Sequence, residues 1–212
     1  MKKYIQILTQ KQTLSTEQAQ QVIFGIANGS FNQIEITCFM SLLMMRPICI
    51  QELEGFRNAF LQLCLPVDLS DFNTLDMCGT GGDGKNTFNI STLASFVAAA
   101  CNIPVVKHGN YGLSSISGSS NVLEQLGIKF SNNPDFIKNS LDKTGITILH
   151  APLFHPAMKT VSQIRKDLGV KTFFNILGPL INSSKPNHQV IGVYSLEIAR
   201  VFTYLLQNTE TK

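Results

Sequence analysis

The chain has 212 residues, 44% of them hydrophobic, and a formal net charge of +3, enough for one sizeable core or for two smaller units sharing an interface. So small a charge with no cationic block permits a nucleic-acid partner without indicating one, and the apolar runs are too short to cross a membrane. Its 5 cysteines include no Cys-x-x-Cys pair, as expected of reduced thiols in the cytoplasm rather than of a disulfide frame or zinc site.

Residues 1–65 read as helical. Ser15 and Gln18 form a capping-box pattern ahead of an amphipathic stretch that stops at Asn28-Gly29. Ser30 and Gln33 repeat the signal for a second helix running to Arg46-Pro47. A third, apolar at Leu53, Phe56, Phe60, Leu61 and Cys64, extends to Pro66. Beyond Pro66, short apolar runs at 75–78, 103–106, 146–149 and 190–193 alternate with helical patterns at 91–100, 119–126, 134–141, 156–168 and 195–206. The alternation predicts an α/β protein: a small N-terminal helical domain over residues 1–70, joined by helices from about 156–185, and a larger domain over 71–212. The larger part should be a mostly parallel sheet flanked by helices, binding ligands at the carboxyl ends of its strands.

Three segments carry chemistry. In DMCGTGGDGKNTFNIST, residues 76–92, Gly79, Gly81, Gly82 and Gly84 let the backbone bring N–H groups up to an anion. Ser91 and Thr92 then open an apolar helix whose N-terminus adds unpaired donors. This is a phosphate cradle with more than one possible owner. A dinucleotide site wants an acidic residue about 20 positions on, but the next strand ends in Lys107 and His108. A P-loop wants Ser or Thr after its lysine, but Asn86 follows Lys85. The second segment, 105–120, offers Lys107, two glycines and Ser114, Ser115, Ser117, Ser119 and Ser120 as another anion loop at the same sheet edge. The third, 150–180, brings His150, His155, Lys159 and Arg165 onto or beside one helix, and the Arg165 guanidinium suits a carboxylate.

Together these segments resemble the anthranilate phosphoribosyltransferases of tryptophan biosynthesis, type III phosphoribosyltransferases. The matches are GTGGDG at 79–84, N-x-S-T at 89–92, KHGN at 107–110 followed by SS and GS, HPAMK at 155–159, and R-x-x-L-G-x-x-T-x-F-N-x-L-G-P-L at 165–180. The resemblance implies transfer of phosphoribose from phosphoribosyl pyrophosphate (PRPP) to the amine of anthranilate. It implies a PRPP site of Gly79, Gly82, Asp83, Thr87, Asn89, Ile90, Ser91, Thr92, Lys107, His108, Gly109, Asn110, Tyr111, Gly112, Leu113, Ser114, Ser115 and Ser119. Mg²⁺ would be the cofactor, touched by Ser91. Anthranilate would be read by Gly79, Asn110 and Arg165, with His108, His155, Gly178 and Pro179 lining its path. A homodimer through the N-terminal helices is implied as well.

The aromatic amine is uncharged at neutral pH, so no general base is assigned. The expected catalysis is electrostatic, with Lys107 and the loop N–H groups stabilising the departing pyrophosphate. The sequence departs from the family at Tyr111, where many members carry Arg, and at Ser120-Asn121, where Ala-Asp is common. Members also usually run longer and carry an acidic pair that holds Mg²⁺. A truncated product or fragment is therefore expected, with an incomplete α/β domain and little or no activity of its own. Two other readings stay open, a nucleoside phosphorylase of the same fold group and a non-catalytic paralogue that binds nucleic acid.

Overall fold

The fold is that of a computed structural model, described for residues 1–81, 84, 87–112, 117–207, 209 and 211–212. It opens with four helices, α1 (Lys2–Thr9), α2 (Thr16–Ala27), α3 (Gln33–Met44) and α4 (Ile50–Leu63). Helix α1 has no side-chain cap and spans only 8 residues, so it leaves no start signal in the sequence. Helix α2 begins as its capping box predicts: Ser15 Oγ accepts from the Gln18 N–H at 3.2 Å, and Gln18 Oε1 accepts from the Ser15 N–H at 3.0 Å. The second box is displaced. Asn32 and Glu35, not Ser30 and Gln33, close it, at 2.9 and 3.1 Å. That start places Ile36, Phe39, Met40 and Leu43 on the buried face. In α4 the fully buried Glu52 carboxylate accepts from the backbone N–H groups of Leu14 and Cys49 and from Arg46. One side chain thus pins two interhelical loops.

The strands β1 (Leu75–Gly79), β2 (Val105–Gly109), β3 (Ile146–His150) and β4 (His188–Gly192) form one parallel sheet in the order β3-β2-β1-β4. Helices α5 (Ile90–Ala100), α6 (Ser119–Gln125), α7 (Pro134–Thr144), α8 (Ala151–Phe154), α9 (Pro156–Leu168), α10 (Phe173–Leu177) and α11 (Leu196–Leu206) connect and cover the strands, and a 3-10 turn, Gly178–Leu180, follows α10. The α/β class and the parallel sheet agree with the sequence. Two strand boundaries do not: β2 starts at Val105 and runs through Lys107 and His108, and β4 starts at His188. Lys107 and His108 therefore sit inside a strand rather than beyond its end.

The main core joins α1–α4 to α9, α10 and α11, with Phe39, Phe56 and Phe173 in mutual ring contact at 4.5–6.4 Å. A smaller cluster of Leu69, Val106, Ile137, Leu141, Leu149 and Phe154 packs α7 and α8 against β2 and β3. On α5 the buried residues are Thr92 and Ser95, whereas Ile90, Leu93 and Val97 are exposed, as are Val190 on β4 and Leu196 and Tyr204 on α11. Among the described residues no helix is long and apolar enough to cross a membrane.

Candidate functional site

The parallel register aligns Gly79 with Gly192 and Gly109 with His150, so the loops after β1, β2, β3 and β4 leave from one edge. Gly79 and Gly192 approach so closely that a Cβ on Gly79 would lie 3.3 Å from the Gly192 carbonyl oxygen, which accepts the Thr80 N–H at 2.9 Å. Past Gly79, Gly81 and Gly84 have φ of +63° and +69°, a conformation costly for residues with a Cβ. The loop then feeds α5, whose first turn holds Ile90, Ser91 and Thr92 directly after Asn89. In that turn the Ile90 and Thr92 N–H groups are taken by the Phe88 and Asn89 carbonyls at 2.8 and 3.0 Å, which leaves, among the described residues, the Ser91 N–H at a helix start that favours an anion. Thr87 and Ile90 are exposed, Asn89 and Ser91 half-buried, and Thr92 buried. Gly82 and Asp83 lie outside the described residues, as do Leu113, Ser114 and Ser115 of the second loop.

That second loop is stitched by α6. The Asn110 carbonyl accepts from Ser119 Oγ at 3.3 Å and from the Ser120 N–H at 3.2 Å. Asn121 Oδ1 accepts from the N–H groups of Gly112 at 3.0 Å and Gly118 at 2.9 Å. Tyr111 turns outward, its hydroxyl on Glu124 at 2.7 Å and its ring 4.7 Å from that of His150. His150 stacks on Phe130 and shares a 2.8 Å hydrogen bond with Ser120. The three departures from the family pattern, Tyr111, Ser120 and Asn121, therefore gather in one place. A cavity of about 610 Å³ opens there, lined by Tyr111, Glu124, Lys129, Phe130 and His150; among the described residues, neither those of the glycine loop nor Arg165 line it. A Cβ on Gly118 would stand 2.2 Å from Gly112 N and 2.5 Å from the Tyr111 carbonyl carbon. Gly118→Ala is expected to cost about 1–3 kcal/mol, the range for overpacking a filled site, read as a lower urea midpoint.

Lys107 departs from expectation. It is 2% exposed, and its ammonium donates to the Met77 carbonyl at 2.7 Å rather than standing free for an anion. Nearby Asp76, fully buried, accepts from the His108 N–H at 3.1 Å and the Gln189 amide at 3.3 Å. Burial pushes the Asp76 carboxyl up, against hydrogen bonding and the Lys107 charge, and pushes the Lys107 ammonium down, against the Asp76 charge. Sequence reading passed over Asp76; its signal was a lone carboxylate in the apolar run Leu75-Asp76-Met77-Cys78.

A row of ring contacts joins the remaining residues. Arg165 lies over Phe174 at 5.2 Å, Phe174 meets Phe60 at 5.9 Å, Phe60 meets His155 at 6.4 Å, and His155 meets His108 at 5.3 Å. His108 Nδ1 faces the Gly178 carbonyl at 3.1 Å, so Nδ1 carries the proton and Nε2 is left as an acceptor. Among the described residues Nε2 is buried without a hydrogen-bond partner, as are both ring nitrogens of His155, although the Ile181 backbone lies near enough to oppose part of the lowering of His155. Burial lowers His108 to about 4 and His155 to about 3, so both are neutral at pH 7. Arg165 makes no ion pair among the described residues, and burial lowers it to about 10, still cationic at pH 7. His108, His155, Arg165 and Gly178 thus lie along one row, with Pro179 next in the turn. Asn110 sits exposed beyond β2, its Oδ1 taken by the Tyr111 N–H.

The described residues do not make a Mg²⁺ site. No group of three His, Cys, Asp or Glu converges among them, and the single hydroxyl of Ser91 is far short of the oxygen shell Mg²⁺ requires.

Sequence profiles match twice: "Glycosyl transferase family, helical bundle domain" over residues 2–64 and "Glycosyl transferase family, a/b domain" over residues 71–212. The anthranilate phosphoribosyltransferase of Flavobacterium psychrophilum is 60% identical over 211 residues, covering 100% of this chain and 64% of that protein. The one from Bacteroides thetaiotaomicron is 49% identical over 212 residues, with 100% and 64% covered. The chain therefore spans just under two thirds of the length of these relatives. Among solved structures, anthranilate phosphoribosyltransferase from Thermus thermophilus superposes with a TM-score of 0.87 at 34% identity, covering 96% of this chain and 62% of that one. The Saccharomyces cerevisiae protein in complex with PRPP and Mg gives 0.86 at 30% identity, covering 96% and 61%. Two profiles that take in almost every residue, on a fold that superposes on these structures, assign the chain to the glycosyl transferase family.

Proposed function

We propose that the chain carries the donor loops and the acceptor row of an anthranilate phosphoribosyltransferase. The observation that carries this reading is the row Arg165–Phe174–Phe60–His155–His108 running to the edge where the glycine loop begins. It offers a cation for a carboxylate, edges and faces for a flat ring, and an unpaired acceptor nitrogen for an amine N–H. The yeast relative has been solved in complex with PRPP and Mg and with 4-fluoroanthranilate, which supports the same pair of ligands here.

In the proposed reaction the anthranilate nitrogen forms a bond to the ribose anomeric carbon as the carbon–oxygen bond to pyrophosphate breaks. The amine proton then leaves to solvent. Backbone N–H groups of 79–84 and the start of α5 hold the phosphates, and the row fixes the line of attack. Mg²⁺ is retained as a companion of the pyrophosphate, with Ser91 as its contact, and no step is assigned to it. The remaining donor-site residues are Thr87, Asn89 to Thr92, Gly109 to Ser115 and Ser119. We propose as well the division at residue 70 and a cytoplasmic setting. Pairing of two copies through the N-terminal helices is included too, supported by the exposure of Ile34 and Met45 there.

The test is calorimetry with both ligands. We expect each to bind, and Arg165→Ala to weaken anthranilate about 100-fold, the loss of charge-assisted hydrogen bonds worth roughly 2–3 kcal/mol. An inert response to both ligands would overturn the reading.

A further inference from the structure

We propose that Arg57 and Gln189 are positioning residues for the acceptor side of the site, holding, together with His108, three successive carbonyls of the Gly178-Pro179-Leu180 turn. The inference rests on the function proposed above. His108 Nδ1 from β2 meets the Gly178 oxygen at 3.1 Å, Gln189 Nε2 from β4 donates to the Pro179 oxygen at 3.0 Å, and Arg57 Nε from α4 donates to the Leu180 oxygen at 3.2 Å. Three elements far apart in sequence thus grip three adjacent peptide groups. The turn's own backbone closure is weak, since the Ile181 N–H reaches Gly178 O only at 3.5 Å. These carbonyls follow the end of α10, where a helix leaves its last acceptors unsatisfied.

Each grip is itself fixed. The Gln189 amide also donates to Asp76 at 3.3 Å, and Asp76 accepts the His108 N–H at 3.1 Å, so one buried carboxylate sets two of the three donors. Arg57 forms no ion pair among the described residues, although its guanidinium is largely removed from water. Burial of a cation is costly; the nearby Glu54 charge offsets part of that cost, and the Leu180 carbonyl takes the Nε–H. The turn offers a place for a ligand: Pro179 and Leu180 are buried, whereas a Cβ added to Gly178 would meet nothing within 4 Å. Setting this turn therefore sets the wall of the acceptor path beside His108 and leaves the glycine loop untouched.

The experiment compares Arg57→Met, Arg57→Lys and Gln189→Met with the unaltered chain. Anthranilate and PRPP affinities are measured by calorimetry, and amide exchange by mass spectrometry. Anthranilate affinity is expected to fall about tenfold per lost hydrogen bond, with PRPP affinity unchanged and faster exchange confined to residues 177–183. Arg57→Lys should fail like Arg57→Met, because an ammonium lacks the Nε–H fork. Equal loss of both ligands, unchanged exchange in the turn, or rescue by lysine would overturn the inference. Should the unaltered chain bind no anthranilate, the function above falls and the exchange arm alone decides the clamp. Should Gln189→Met fail to fold, the two Arg57 variants decide it.

Discussion

Acidification from pH 7 to pH 5 is expected to remove on the order of 4 kcal/mol of folding stability through His108 and His155 alone. Both are bases whose folded values, about 4 and about 3, lie below the ordinary histidine value. At pH 7 the folded rings are neutral and only about a quarter of the unfolded rings carry the extra proton, so little is lost. At pH 5 the unfolded chain takes up a proton at each ring and the fold does not, which favours unfolding by about 2 kcal/mol per ring. The loss opens as pH falls through the unfolded value near 6.5. It is complete once pH passes below each folded value. Glu52, held low by Arg46 and two backbone N–H groups against the cost of burial, adds to the acid loss only at still lower pH. Asp76, pushed up by burial, has the opposite sign and offsets part of it. Urea midpoints at the two pH values measure the slope, and His155→Phe, which sets a ring beside Phe60 without a titrating nitrogen, should remove about half of it. A slope untouched by that change would remove His155 from the explanation.

Lys107→Met is expected to cost about 3–5 kcal/mol, the range for leaving a buried charge without its counterpart. The side chain is nearly sealed from water, donates to the Met77 carbonyl and supplies the positive charge near Asp76. Removing it strands that carbonyl and leaves Asp76 facing burial with only hydrogen bonds to offset it. Chemical denaturation without any ligand reads the effect. The informative comparison is Lys107→Met with Asp76→Asn. If the two charges stabilise one another, the double variant loses less than the sum of the singles. A lysine acting on pyrophosphate alone predicts no change in the unliganded chain.

The parts of this fold legible in the sequence are those whose cause is local. The Ser15–Gln18 box, Gly81 and Gly84, and the alternation after Pro66 act through neighbours a few residues away, and the structure contains them. Where two local signals overlapped, at Ser30 and Asn32, the phase of Ile36, Phe39 and Leu43 against the core decided. Lys107 and His108 look like a strand end because polar residues usually leave a sheet. Here they stay inside it because Met77, Asp76 and Gly178 satisfy them. Arg57 and Gln189 were illegible for the same reason, since Arg57 finds its partner 123 residues away and Gln189 reaches Asp76 across 113. The family resemblance points to His108, His155 and Arg165, but what joins them is Phe60 and Phe174, residues with no chemical signal of their own.

The outward stripe of Ile90, Leu93 and Val97 bears on how the chain behaves as a colloid. A net charge of +3 gives weak mutual repulsion, and salt screens it within roughly 10 Å at 0.1 M. Attraction between such exposed apolar side chains, once repulsion is screened, works against solubility. Added salt should therefore lower solubility, while a lysine replacing Leu93, outside the buried core, should raise it.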